Sequence, residues 1–195
     1  MNKVEKLSRE YKDFLLAKFH DERFENIANH LVKLEVDYIN FNNEHATGEL
    51  VCHEQIVDDL DYIFHELYEN KYQIEKIKLI DEYDFNDDAS MADNNASCFN
   101  FRPIMNTNRL SKHSYGIAVD INPLYNPYVV NNNGEINIYP EGGKKYADRD
   151  DNNEHYIDHD DLCYKLFIQR GFTWGGDWSS PDYQHFQKDI GEENE

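Results

Sequence analysis

The chain has 195 residues, with 39 Asp and Glu against 19 Lys and Arg, a formal charge of −20. That field opposes binding to DNA, RNA or anionic membrane by phosphate neutralisation, which excludes a nucleic-acid partner of the ordinary kind. A hydrophobic content of 39%, with 14 Tyr and 11 Phe, excludes a disordered chain, and the length suits one domain over 1–195.

Val4, Leu7, Tyr11, Phe14, Leu15 and Phe19 recur at three- and four-residue steps, which predicts an amphipathic helix inside an N-terminal helical extension of about 1–30. Its longest apolar run, Phe14 to Ala17, is too short for a secretory h-region or a membrane span, so no span is expected there. From Leu34 to Phe41 the pattern alternates. Asn42, Asn43 and Gly48 then signal a turn before Glu49–His53, which predicts a hairpin.

Ile56, Val57, Leu60, Ile63, Phe64 and Leu67 form the strongest helical stripe, ending near Asn70, and its apolar face should cover the sheet. Tyr72 to Ile80 reads as a buried strand. Asp81 to Asn100 holds Asp81, Asp84, Asp87, Asp88 and Asp93 but lacks the glycine and terminal glutamate of a helix-loop-helix calcium site, so it reads as a long surface loop.

Pro123 to Asp151 is a second long loop, whose position beside the motif below suits a cleft wall. His155 to Gly171 returns to helical periodicity, with Gly171 as its stop and a loose acidic tail over 188–195 after it. Cys52, Cys98 and Cys163 are too scattered for a disulfide framework or a thiolate zinc knuckle and read as idle thiols.

Chemistry concentrates in Ser111–Asp120 and in the later segments Trp174–Trp178 and Asp182–His185. A catalytic zinc takes three protein ligands, typically imidazole nitrogen and carboxylate oxygen, and keeps one open position. His113, Asp120 and His185 fit that count. His113 and Asp120 are an odd number of residues apart and would face opposite sides of one straight strand, so the chain must bend, and Gly116 is the place.

Beyond the bend, Gly116, Ala118 and Asp120 share one face with room for a metal, while Ile117, Val119 and Ile121 face the core. Asp182 stands three residues before His185, where a carboxylate near the metal can accept and return a proton. Trp174 and Trp178 flank two glycines; they read either as a substrate rim or as anchors of the core. Asp177 reads as a hydrogen-bond partner for a ligand histidine. His20, His30, His45, His53 and His65 read as ordinary residues, and His155 with His159 as a weak second pair on the predicted helix.

Together, Ser111-x-His113-x-x-Gly116-x-Ala118-x-Asp120, Trp174-Gly-Gly-Asp-Trp178 and Asp182-x-x-His185-Phe186 resemble the zinc-dependent D-alanyl-D-alanine carboxypeptidases of the VanY-like group and related phage L-alanyl-D-glutamate endopeptidases. The likeness runs from about Gly48 to Gln187 and shares its fold with the lysostaphin-type peptidases and the hedgehog signalling domain. It implies an α+β fold in which a small antiparallel sheet with flanking helices cradles one zinc ion. It also implies His113, Asp120 and His185 as ligands and Asp182 as general base and acid.

Arg102 looks like the family arginine that stabilises an oxyanion or a substrate carboxylate, with a surface salt-bridge partner as the alternative, and Ser111 reads either as orienting the site by a hydrogen bond or as a strand-entry turn. The implied substrate is a peptidoglycan stem peptide, cut as a D-alanyl-D-alanine carboxypeptidase would cut it. The alternatives are an L-alanyl-D-glutamate endopeptidase and a non-catalytic module that binds wall peptides or a protein. Many relatives carry Glu where this chain carries Asp182, so the base is one methylene shorter.

Overall fold

The computed structural model describes residues 3–105, 107–132 and 134–191. Strand β1 (Lys3–Lys6) leads through helices α1 (Arg9–Lys18) and α2 (Glu22–Ala28) to the hairpin β2 (Leu31–Ile39) and β3 (His45–His53). These strands make an antiparallel sheet in the order β1-β2-β3. The hairpin turn is set locally: Asn40 Oδ1 accepts the N–H groups of Asn42 and Glu44, and Asn43 takes the left-handed backbone at φ 60°.

Strand parity divides the burial. Val32, Leu34, Val36 and Tyr38 face one way, against helix α3 (Val57–Glu69), whose Leu60, Ile63, Phe64 and Leu67 are buried there as the stripe predicted. Leu31 and Val51 face the other way, against Leu15, Phe24 and Ile27 of α1 and α2. Each such fully buried side chain is worth about 1.5–3 kcal/mol, so the N-terminal helices are held by packing and not merely appended.

The predicted helix from Val4 is shorter than expected. Val4 belongs to β1 and pairs with Leu34, because Ser8 ends the strand and caps α1 by accepting the Tyr11 N–H at 3.1 Å. Of Tyr72–Ile80 only β4 (Lys76–Ile77) is strand. The acidic stretch that reads as a surface loop is structured instead: a 3-10 turn at Ile80–Tyr83, helix α4 (Asp87–Ala92) and strand β5 (Asn95–Ala96), parallel to β4. Asn86 caps α4 through the Ala89 N–H at 3.0 Å, and residues 94–100 are buried beneath the site.

Strand β6 (Ala118–Asp120) follows. The second expected loop contains the hairpin β7 (Tyr128–Asn132) and β8 (Glu135–Tyr139) and a 3-10 turn at Glu141–Tyr146. Helix α5 covers only Leu162–Gln169, since Asp161 caps it by accepting the Cys163 and Tyr164 N–H groups, and Gly171 closes its end at φ 82°. His155 and His159 therefore lie before the helix and share no helical face. Strands β9 (Thr173–Trp174) and β10 (His185–Gln187) complete a second antiparallel sheet in the order β6-β10-β9.

Helices beside small antiparallel sheets make the fold α+β, as expected. Lys188, where a loose tail is expected, is tied to Asp59 at 2.7 Å and to the Arg170 carbonyl at 2.8 Å; residues 192–195 of that tail lie outside the described residues. Cys52, Cys98 and Cys163 are buried free thiols. Among the described residues no helix is long and apolar enough to cross a membrane.

Candidate metal centre

In the β6–β10 register His185 stands directly opposite Asp120. Ile117, Val119, Ile121 and Phe186 point the other way and are fully buried, which fixes the face on which Asp120 and His185 meet. His113 arrives from a 3-10 turn at Lys112–Tyr115 rather than from the strand. Ser111 Oγ caps that turn by accepting the His113 N–H at 3.3 Å, which makes Ser111 a holder of the His113 backbone.

Gly116 ends the turn at φ 67°, and a Cβ there would stand 2.8 Å from the His53 nitrogen, so both backbone and space demand glycine at the bend.

The three side chains converge in a buried pocket of the sheet. Their exposures are 2% for His113, 4% for Asp120 and 6% for His185. His113 Nε2 lies 3.1 Å from Asp120 Oδ2 and 3.1 Å from His185 Nδ1, and His185 Nδ1 lies 3.0 Å from Asp120 Oδ1. One ligand atom from each lies within 4.8 Å of the others, a group able to hold a metal ion.

The outer ring nitrogens decide what the inner ones can do. His113 Nδ1 lies 2.6 Å from the Cys98 carbonyl, which can only accept, so Nδ1 carries the proton and Nε2 presents a lone pair. His185 Nε2 lies 3.1 Å from Gln187 Oε1, again an acceptor, which leaves Nδ1 bare. With both rings neutral, two lone pairs and a carboxylate thus face one another, a set that takes up either a proton or a metal cation, and imidazole nitrogen with carboxylate oxygen is a zinc donor set. Burial opposes the charge on Asp120, yet the neighbouring imidazoles hold its carboxyl well below the usual range; burial opposes the His113 charge too, and Asp120 outweighs it and raises that imidazole.

Asp182 sits at the other end of a tight turn from His185, whose N–H donates to the Asp182 carbonyl at 3.2 Å; that turn is the physical content of the D-x-x-H spacing. Its Oδ1 is buried with no protein partner. Burial pushes the Asp182 carboxyl up to about 7, with Asp120 and Asp87 adding to the rise against His185 and Arg102. Gly175 lets this turn approach: a Cβ there would lie 2.6 Å from the Asp182 carbonyl oxygen, 2.9 Å from Asp182 Cβ and 3.2 Å from His185 Cβ.

Arg102 lies close enough for its charge to act on Asp182 and His113, and its guanidinium pairs with Asp87 Oδ2 at 2.7 Å while Nε is buried without a partner. Asp87 Oδ1 also accepts from Asn100 Nδ2 at 3.1 Å. The two tryptophans divide their roles. Trp174 is 4% exposed and donates from Nε1 to the Tyr183 carbonyl at 2.9 Å, an anchor of the core, whereas Trp178 is 41% exposed with its ring 5.3 Å from that of His185, at the rim.

Asp177 does not hold His113 or His185 as expected: it is exposed and pairs with His159 Nε2 at 2.8 Å, while the outer nitrogens of His113 and His185 meet the Cys98 carbonyl and Gln187. His155 stacks on Phe41 at 3.8 Å, while His159 pairs with Asp177. The Cys98 carbonyl, Gln187, Asp87 and Asn100 were not among the sequence candidates. Gln187 alone had a readable signal, since it shares the His185 face of its strand.

Among curated proteins and among solved structures the chain has no significant match. Residues 105–188 match the family described as D-alanyl-D-alanine carboxypeptidase, a span that includes His113, Asp120, Asp182 and His185 and begins three residues after Arg102. That match supports placing the chain with the VanY-like D-alanyl-D-alanine carboxypeptidase family of peptidases.

Proposed function

We propose that the protein is a zinc-dependent D-alanyl-D-alanine carboxypeptidase acting on peptidoglycan stem peptides, with residues 1–195 as one peptidase domain. The observation that carries this reading is the convergence of three buried acceptor groups beside Asp182, whose Oδ1 is buried with no protein partner. His113 Nε2, Asp120 and His185 Nδ1 would hold one zinc ion. Zinc so held supplies Lewis acidity and polarises water and carbonyl oxygen.

The remaining chemistry belongs to the chain. Asp182, raised to about 7, is suited near neutral pH to take a proton from water and return it to the leaving amine. Arg102, fixed by Asp87, brings a permanent positive charge for an oxyanion or for the terminal carboxylate of the substrate. Trp178 forms an apolar rim above His185.

The test is zinc analysis of purified protein together with mass spectrometry of muropeptides after digestion. Stoichiometric zinc and release of one D-alanine support the reading. Cleavage within the stem would show an endopeptidase, and zinc without turnover on any muropeptide would leave a binding module.

A further inference from the structure

We infer that Gln187 is a positioning residue that fixes which nitrogen of His185 is offered to the metal. This rests on the functional reading above, because it concerns the same three-ligand site.

His185 and Gln187 are two apart on β10 and so project from one face of the strand. Opposite them in the register stand Asp120 and the small Ala118. Gln187 Oε1 then lies 3.1 Å from His185 Nε2, on the side away from Asp120 and His113.

With a metal on Nδ1 the proton must sit on Nε2, and a buried N–H needs an acceptor. Gln187 is that acceptor. Without it the ring can turn over or change tautomer, and the lone pair no longer meets those of the other two ligands. The backbone of Gln187 is held independently, through pairing with both Ala118 and Thr173, so the side chain can be altered while the strand stays in place.

The experiment measures the zinc dissociation constant by chelator competition for wild type, Q187E and Q187L, with thermal melting as the check on folding. It also records the His185 Nε2–H signal by nitrogen-edited NMR of zinc-loaded protein. A carboxylate still accepts, so Q187E should bind zinc as tightly as wild type or more tightly and keep a protected Nε2–H. Q187L should bind about 10–100-fold more weakly and lose that protection. If Q187L does not fold, Q187N, whose amide is one methylene short of the ring, is compared in the same way.

Equal zinc affinity and equal protection in Q187L or Q187N overturn the role of Gln187 and leave the functional reading intact. Wild-type protein that takes up no zinc overturns both.

Discussion

Replacing Gly175 by alanine pushes one methyl group against the turn that joins Asp182 to His185. Gly175 does not use the left-handed backbone, so alanine would ordinarily stabilise the protein by about 0.4–1 kcal/mol through the unfolded chain. Here the new Cβ would sit 2.6 Å from the Asp182 carbonyl oxygen and 2.9 Å from Asp182 Cβ. Comfortable separation between carbons is roughly 3.5–4.0 Å, so the Asp182–His185 turn must retreat by about 0.5–1 Å.

Overpacking of this kind costs about 1–3 kcal/mol, which outweighs the entropic gain. Net of that gain, a loss of up to about 2.5 kcal/mol lowers Tm by up to roughly 5–10 °C for a chain of this size. The larger consequence is catalytic: a displacement of about 1 Å in a catalytic group costs on the order of 100-fold in rate. The assay is D-alanine release from a stem peptide, read as kcat/KM well below Tm, beside calorimetry. A G175A protein with unchanged kcat/KM and a Tm at or above wild type would refute the packing account of this glycine.

Three other outcomes are expected. D182N should keep zinc at wild-type stoichiometry and lose at least about 100-fold in kcat, since a proton carrier is removed while the ligands remain; retained turnover would remove Asp182 from the mechanism. Chelation should lower Tm at neutral pH, by an amount equivalent to about 4 kcal/mol when free zinc had been 1,000-fold above its Kd, and the difference should shrink in acid as protons compete for the imidazoles; identical melts would count against the metal.

Burial, against the hydrogen bonds it accepts, pushes the Asp161 carboxyl up to about 6 from an unfolded value near 3.8. An acid raised on folding favours the folded state at low pH, so stability should fall as pH rises from about 4 to 6. The loss is on the order of 1–3 kcal/mol after allowing for the partial exposure of the group. D161N keeps the cap acceptor and should flatten that dependence in denaturant titrations; an unchanged slope would contradict it.

The parts of this molecule legible in sequence are those whose signal is long or chemically rare. The α3 stripe and the β2–β3 hairpin repeat over enough residues to show their period. His113, Asp120 and His185 stand out because a small-residue face next to a carboxylate has little use in ordinary packing, and the parity of their spacing required the bend that Gly116 makes.

What was illegible has other causes. Strands β4, β5 and β9 have two residues each and exist through tertiary pairing, which no local period can announce. Asp158, Asp160 and Asp161 could each have capped α5, and only the contacts select Asp161. The acceptor for His113 is a main-chain carbonyl, which every residue possesses, so nothing marks Cys98 in advance. Trp174 and Trp178 carry the same sequence weight and part company only in their surroundings.

Phe99 and Phe101, on either side of Asn100 within the stretch Cys98–Arg102, pack edge-on or tilted against Phe24 and Phe19 of the N-terminal region. The backbone between and beside them delivers the Cys98 carbonyl to His113 and carries Arg102. A fragment cut where the matched family stretch starts, at residue 105, would keep His113, Asp120 and His185, the three proposed ligands, and Asp182, the proposed base. It would lose the floor on which His113 rests, the guanidinium, and the aromatic buttress beneath both. Sequence recognisability and mechanical completeness thus have different borders in this chain, and expression boundaries are better drawn from the second.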